Sequence, residues 1–314
     1  MAHLVESMMY VGKTPWHGLG IPIPEDKKIS VREAIVTAGL DWKVELRRLY
    51  TENSDGKISS AILDQYAVCR TYDNAFLGIV GSDYVPLQNE EALKWFQPFL
   101  DANEATLETA GSLKGGRHVW VLAKIRDSNM DIGRRDPVAH YILLSNAHDG
   151  SLAVYVGFTP IRVVCNNTLT LAHASKASQL LRIRHNFKLH ANLDMVRDIM
   201  NVARHEFSAT VEQYRHLQRH GIDMAGLEKY VRLVFSLPDH KSGRNLIHNV
   251  VYLFENGRGH QEAGRTYWGA YNAVSEYLNY FRGKTQDNTL SSLWFGDSII
   301  INKQALNVAL KMAA

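Results

Sequence analysis

The sequence predicts an α+β protein: an antiparallel sheet with packed helices in the N-terminal part, followed by a mostly helical C-terminal part. Two observations carry this. Up to about residue 190, apolar and polar residues alternate in short runs bounded by turn chemistry, which is the period of half-buried strands. Beyond that point the apolar period changes to three and four, the period of amphipathic helices. A run of strands followed by a run of helices is the order of an α+β chain. The expected division is therefore a sheet-plus-helix domain over 1–190 and a helical region over 191–314.

The elements follow in order. The first twenty residues, with Trp16-His17-Gly18-Leu19-Gly20 after Pro15, read as an irregular segment folded onto the body. Ser30-Val-Arg-Glu33 is a capping-box pattern that starts a short helix ending at Gly39. Trp42, Val44 and Leu46 alternate with charged residues as a strand does. Asn53-Ser-Asp-Gly56 is turn chemistry, Ile58 to Arg70 a partner strand, Tyr72-Asp-Asn74 a second turn and Phe76 to Val80 a third strand. Asn89 reads as the cap of a helix with an acidic first turn and apolar positions at Leu93, Phe96 and Leu100. Strands are expected at Thr106 to Ala110 and His118 to Ile125, around a connection from Gly111 to Gly116. Two more run from Val138 to Leu144 and Leu152 to Phe158, with strand text continuing from Ile161 to Cys165. From Leu193 to Leu217 the spacing predicts one long amphipathic helix. Further helices are expected near 223–236, 243–255, 266–281 and 298–312, with breaks at Gly257-Arg-Gly259 and Lys284 to Asn288.

Composition excludes several classes. Of 314 residues, 46% are apolar and 21% charged, the balance of a globular chain rather than a disordered one. No apolar run is long enough for a membrane span, and the start lacks the pattern of a secretory signal. Two cysteines, Cys69 and Cys165, cannot form a disulfide framework or a four-cysteine zinc site; both read as free thiols in strands, and a cytoplasmic protein is expected.

Enzyme signatures fail on their mechanism. Gly111 to His118 has phosphate-loop spacing, but Arg117 and His118 stand where Lys and Ser/Thr are needed, and the segment joins two strands. His205-Glu206 begins a zincin-like pattern whose second ligand position is Ala209. His216 and His220 share a helix face at ligand spacing without a carboxylate or thiol nearby in sequence, and read as surface histidines. Gly296-Asp-Ser-Ile299 resembles a serine-nucleophile block, yet no histidine follows it, and a helix start capped by Asp297 or Ser298 explains the residues. No catalytic residue, metal or cofactor is expected.

Charge distribution is more informative than the net charge of +3. No acidic residue lies between Glu108 and Asp127, where Lys114, Arg117, Lys124 and Arg126 fall. None lies between Asp149 and Asp194, where Arg162, Lys176, Arg182, Arg184 and Lys188 fall. Clustered cations clear of carboxylates form a surface for polyanions, or else solvated faces neutralised from elsewhere in the fold. With Trp120, Tyr155 and Phe158 as possible stacking platforms, these nine basic residues are the candidate contacts to single-stranded DNA. Core packing is the competing role for the three aromatics.

Several blocks carry a resemblance. Asp83 to Ala92, Glu108 to Leu113 with Gly116 to Trp120, Arg162 to Leu169, Trp268 to Tyr277 and the early Pro15 to Gly20 stand in order. The chain resembles the phage/plasmid-like family catalogued as domain of unknown function 932. That resemblance implies a role in mobile-element DNA metabolism or in coping with the host. The order of elements is loosely similar to annealing proteins that form rings or filaments and hold single strands along a basic groove, a likeness of fold alone. The leading expectation is a non-enzymatic, single-strand-binding, annealing-type protein of a phage or plasmid, oligomeric as a ring or filament, with residues 1–190 as its DNA-binding core. The alternative is a host-interaction or counter-defence protein that binds a host protein.

Overall fold

The computed structural model describes residues 5–12, 19–126, 129–133, 136–162, 167–168, 181–202, 204–238, 243–282 and 297–314. It is an α+β fold, with sheets in the N-terminal part and helices in the C-terminal part. The described chain groups into two compact units. Residues 1–126, 142–157 and 180–201 form the first, and residues 127–141, 158–179 and 202–314 the second.

The N-terminus departs from expectation. Val5–Val11 is a strand (β1), antiparallel to a later strand and parallel to Ile21–Ile23 (β2). Met8, Met9 and Tyr10 are buried in succession, because a strand with neighbours on both edges and cover on both faces loses the alternation that marks a half-buried one. Ser30 caps α1 (Val31–Thr37) with the full reciprocal box: its Oγ accepts from the Glu33 N–H, and the Glu33 carboxylate accepts from the Ser30 N–H.

Three strands, β3 (Val44–Glu52), β4 (Ile58–Arg70) and β5 (Phe76–Gly81), form an antiparallel sheet in that order. Gly56 at φ +77 turns the first hairpin, and Asn74 at φ +59 the second. Only the Val44 end of β3 and the Tyr66–Arg70 end of β4 are covered. Ile58 and Leu63 are 76% and 80% exposed, so the outer half of this ribbon stands in solvent on both faces.

Asn89 is not a cap. Gln88 precedes α2 (Asn89–Lys94), and its side-chain amide both donates to and accepts from the Val44 backbone. Asn89 lies inside the helix and is buried. The expected run through Leu100 divides into α2 and α3 (Gln97–Asp101), since Pro98 brings no N–H to continue the ladder.

The larger sheet contains β6 (Ala105–Leu113), β7 (His118–Ile125), β9 (Pro137–Ala147), β10 (Val154–Arg162) and β11 (Asn167–Thr168). Its order is β11-β10-β9-β7-β6-β1-β2, with β8 (Met130–Asp131) beside β9 and β12 (Leu181–Ile183) beside β10. Gly111, Ser112 and Leu113 belong to β6 rather than to a connection, and Gly111 pairs with Trp120. Strand β10 runs through Pro160 to Arg162, while Cys165 lies outside the described residues. Cys69 is free and buried in β4.

The expected helix over 193–217 is present as α4 (Leu189–Val202) and α5 (Arg204–Arg219), residue 203 lying outside the described residues. Then come α6 (Met224–Val234), α7 (Arg244–Asn256), a one-turn α8 (His260–Ala263), and α9 (Tyr267–Glu276) running into a π-helical turn over Tyr277–Phe281. Helix α10 (Asp297–Ala313) follows, with Asp297 as its first residue and Ser298 buried behind it. Every residue from Trp268 to Glu276 is buried, which makes α9 the centre of the second unit. Two of its buried polar side chains are paired inside: Trp268 Nε1 donates to Asp136 Oδ2 (2.7 Å), and Ser275 Oγ to Asn302 Oδ1 (2.9 Å).

Candidate nucleic-acid interface

The β6–β7 hairpin closes at the Leu113–His118 pair, leaving Lys114 to Arg117 as its loop. Lys114, Gly115 and Gly116 all have left-handed backbone, with φ of +55, +68 and +87. The glycines do different work. A Cβ on Gly115 would meet nothing within 4 Å, so that backbone is open to solvent. A Cβ on Gly116 would lie 3.0 Å from Arg70 Nη1 and 3.1 Å from Trp42 Cζ2, so absence of a side chain lets the loop sit on those residues.

Arg70 anchors this end of the unit. Its side chain is only 7% exposed; it donates to Glu6 Oε1 (2.6 Å) and Asp73 Oδ2 (2.7 Å), with the Trp42 and Tyr72 rings 5.2 and 4.9 Å away. The hydrogen bond from Arg70 holds the Asp73 carboxyl below its ordinary range.

Beneath the hairpin lies a buried polar cluster from four segments. The Arg117 carbonyl accepts from the His148 N–H (2.7 Å). His148 Nε2 lies 2.9 Å from Asn89 Oδ1, an acceptor, so that nitrogen carries the proton. Burial, reinforced by the neighbouring His185, pushes the His148 imidazole down to about 3, and it is neutral at neutral pH. His185 Nδ1 donates to the Val85 carbonyl (2.9 Å) and its ring stacks on Tyr84 at 4.5 Å. His148 Nδ1 and His185 Nε2 are shut off from solvent without a hydrogen-bond partner among the described residues.

His118 Nε2 faces both Ser151 Oγ (3.0 Å) and Asp149 Oδ2 (3.3 Å). Burial works to raise the Asp149 carboxyl, but hydrogen bonds from His118 and Ser151 outweigh it and hold the group well below its ordinary range. A serine–histidine–carboxylate relay needs serine and carboxylate on opposite ring nitrogens. Here both oxygens approach the same one, so the trio braces the loop and forms no relay.

The segment after β12 brings His185 to the cluster. Arg182 pairs with Tyr155 across β10, and Arg182, Arg184 and Lys188 are exposed. The Asn186 carbonyl accepts from the Leu189 N–H (2.8 Å) and its side chain from the Lys188 N–H (3.0 Å), which turns the chain into α4. At the tip of that turn Phe187 is 84% exposed, with Lys188 Nζ 5.5 Å from the ring.

The nine cations are therefore sorted. Lys114 and Arg117 on the hairpin, and Arg184 and Lys188 on the 184–188 turn, flank one buried cluster; Arg182 sits just before that turn. Lys124 and Arg126 lie at the far end of β7, about 23 Å along the strand from Arg117. Arg162 ends β10, and Lys176 lies outside the described residues. Of the three aromatics weighed between base stacking and core packing, Trp120 and Phe158 are 2% and 5% exposed and serve the core; Tyr155 is half-buried. Sequence reasoning missed Phe187. Its signal was an aromatic set between turn-forming Asn186 and basic Lys188. The His216 and His220 rings lie 4.2 Å apart at a tilt of 41°, His220 Nδ1 donating to the His216 carbonyl. No group of three or more metal-ligating side chains occurs among the described residues.

A mixed fold with a basic, aromatic-tipped sheet end defines the class of the chain only broadly. The family model described as Domain of unknown function (DUF932) matches residues 76–294, and the chain belongs to that family. No curated protein matches the chain, and no solved structure does. The match takes in the hairpin, the buried cluster and α9, and leaves β1 to β4 outside it.

Proposed function

We propose that this chain is a phage- or plasmid-encoded, non-enzymatic protein that binds single-stranded DNA and promotes annealing in mobile-element DNA metabolism, as a cytoplasmic homo-oligomer in ring or filament form. The observation that carries the reading is Phe187, exposed in a turn between Arg184 and Lys188 at the start of α4. A base stacks on such a ring while adjacent cations and helix N–H groups take the phosphates. Lys114, Arg117 and the open Gly115 backbone supply further phosphate contacts.

The test is fluorescence anisotropy of a labelled oligothymidylate across a salt series. Five phosphate contacts, from Lys114, Arg117, Arg182, Arg184 and Lys188, give a slope of log affinity against log salt of about −3.5. Phe187→Ala should cost about 1–3 kcal/mol of affinity and leave the slope unchanged. No binding at low salt, or a slope near zero, overturns the reading.

A second reading, a counter-defence or host-interaction protein, is favoured by the solvent-exposed outer half of the β3–β4 ribbon, where Tyr50, Ile58 and Leu63 are exposed. Shortening the ribbon should then abolish capture of a host protein and leave oligonucleotide binding intact.

A further inference from the structure

At the end of β7 remote from the hairpin, strand pairing is interrupted. Leu107 pairs with Ala123 and Thr109 with Leu122, so Glu108 is the extra residue of a β-bulge. Bulges re-aim side chains. Glu108 lines a cleft of about 270 Å³ whose walls also include Glu25, Lys28, Asn103 and Arg126. Small-molecule pockets run from roughly 300 to 1,000 Å³, so this cleft suits a small ligand.

The polar groups of the cleft are unequally satisfied. Lys28 Nζ donates to Asn103 Oδ1 (3.3 Å), and Lys27 is paired with Glu33 (3.3 Å). The Arg126 backbone N–H is used, donating to the Glu104 carbonyl (2.9 Å). Its Nε is closed to solvent and has no hydrogen-bond partner among the described residues. The guanidinium is half-buried, lines the cleft and has no ion pair among the described residues, so its outer nitrogens are the groups that an anion in the cleft would meet.

We propose that this cleft binds a small oxyanion, a carboxylate or phosphate group, with the Arg126 guanidinium as its principal partner and Lys28 at its mouth. This stands whether or not the hairpin end binds DNA. Glu108 tunes the site. Burial, aided by Glu25 and opposed by Lys124, raises its carboxyl to about 7, so it is a neutral donor at lower pH and a repelling charge at higher pH. The other charged groups lining the cleft are Asp26, Lys27, Lys28 and Arg126.

Sulfate keeps one charge state between pH 6 and 8 and is the probe. Calorimetry on the full chain should show sulfate binding at pH 6 that weakens several-fold at pH 8. Arg126→Met should weaken it at least tenfold, and Arg126→Lys less. Glu108→Gln should keep the pH 6 affinity and lose the pH dependence. Equal sulfate affinity in wild type and Arg126→Met, or no binding at pH 6, overturns the proposal, and the Glu108→Gln profile decides it if Arg126→Met fails to fold. Competition identifies the source of the anion. Displacement of sulfate by a 5′-phosphorylated oligonucleotide alone means a strand end, and displacement by neither form means a free small anion. Equal displacement by the unphosphorylated strand makes Arg126 part of a strand surface and overturns the proposal.

Discussion

Alanine at Gly116 should destabilise the protein by about 2–5 kcal/mol, and alanine at Gly115 by only about 1–2. Both positions have left-handed backbone, φ +87 and +68, and an L side chain forced there costs about 1–2 kcal/mol. That part is common to the two variants. At Gly116 the new methyl would also lie 3.0 Å from Arg70 Nη1, 3.1 Å from Glu6 Oε2 and 3.1 Å from Trp42 Cζ2. None of the three can retreat cheaply, because Arg70 and Glu6 are bonded to each other at 2.6 Å and the Trp42 indole is buried. Overpacking of that kind adds about 1–3 kcal/mol. At Gly115 the methyl meets nothing. Urea melts followed by tryptophan fluorescence measure the difference. Equal losses in the two variants, within about 0.5 kcal/mol, would refute the close approach and leave both glycines as turn formers.

Ser30→Ala removes one half of a reciprocal cap and should cost about 1 kcal/mol in the same melts, with Glu33→Ala costing a comparable amount. His148, held neutral down to about pH 3, ties stability to pH: the unfolded chain takes up a proton near 6.5, so stability present above that pH is lost as pH falls toward 3. His148→Gln, which still donates to Asn89, should flatten that loss between pH 6.5 and 4, and an unchanged profile would assign it to other groups. Reversing charge at Arg182 and Arg184 together should abolish oligonucleotide binding with the melting curve unaltered, while Lys124→Glu, at the remote end of β7, should leave binding within twofold. Equal damage from both would mean that only global charge matters.

Local signals read well wherever local chemistry decides the structure. Ile58–Arg70 stands with its expected ends because Gly56 and the Tyr72–Asn74 turn bound it. The Ser30 cap is complete within four residues. Reading failed where distant partners decide. Strand β1 hides its period because neighbours cover it on all sides, and Asn89 has cap chemistry but spends its side chain on Leu40, Trp42 and His148. The basic residues were legible as two segments. Their sorting into a hairpin end and a remote cleft was not, since one regular strand separates Arg117 from Lys124. The histidines of the buried cluster come from β7, the β9 end and the turn after β12, and no spacing rule links them.

Asn89 and His148 bind each other's choices. The Asn89 amide donates to the Leu40 and Trp42 carbonyls, which leaves its oxygen for His148 and fixes which imidazole nitrogen is protonated. Aspartate at position 89 would set two carbonyls against a carboxylate, and an apolar residue at 148 would strand the amide oxygen. Neither site can change alone without loss. Relatives that replace one should therefore have replaced the other, so the two columns should covary across the family although 59 positions separate them.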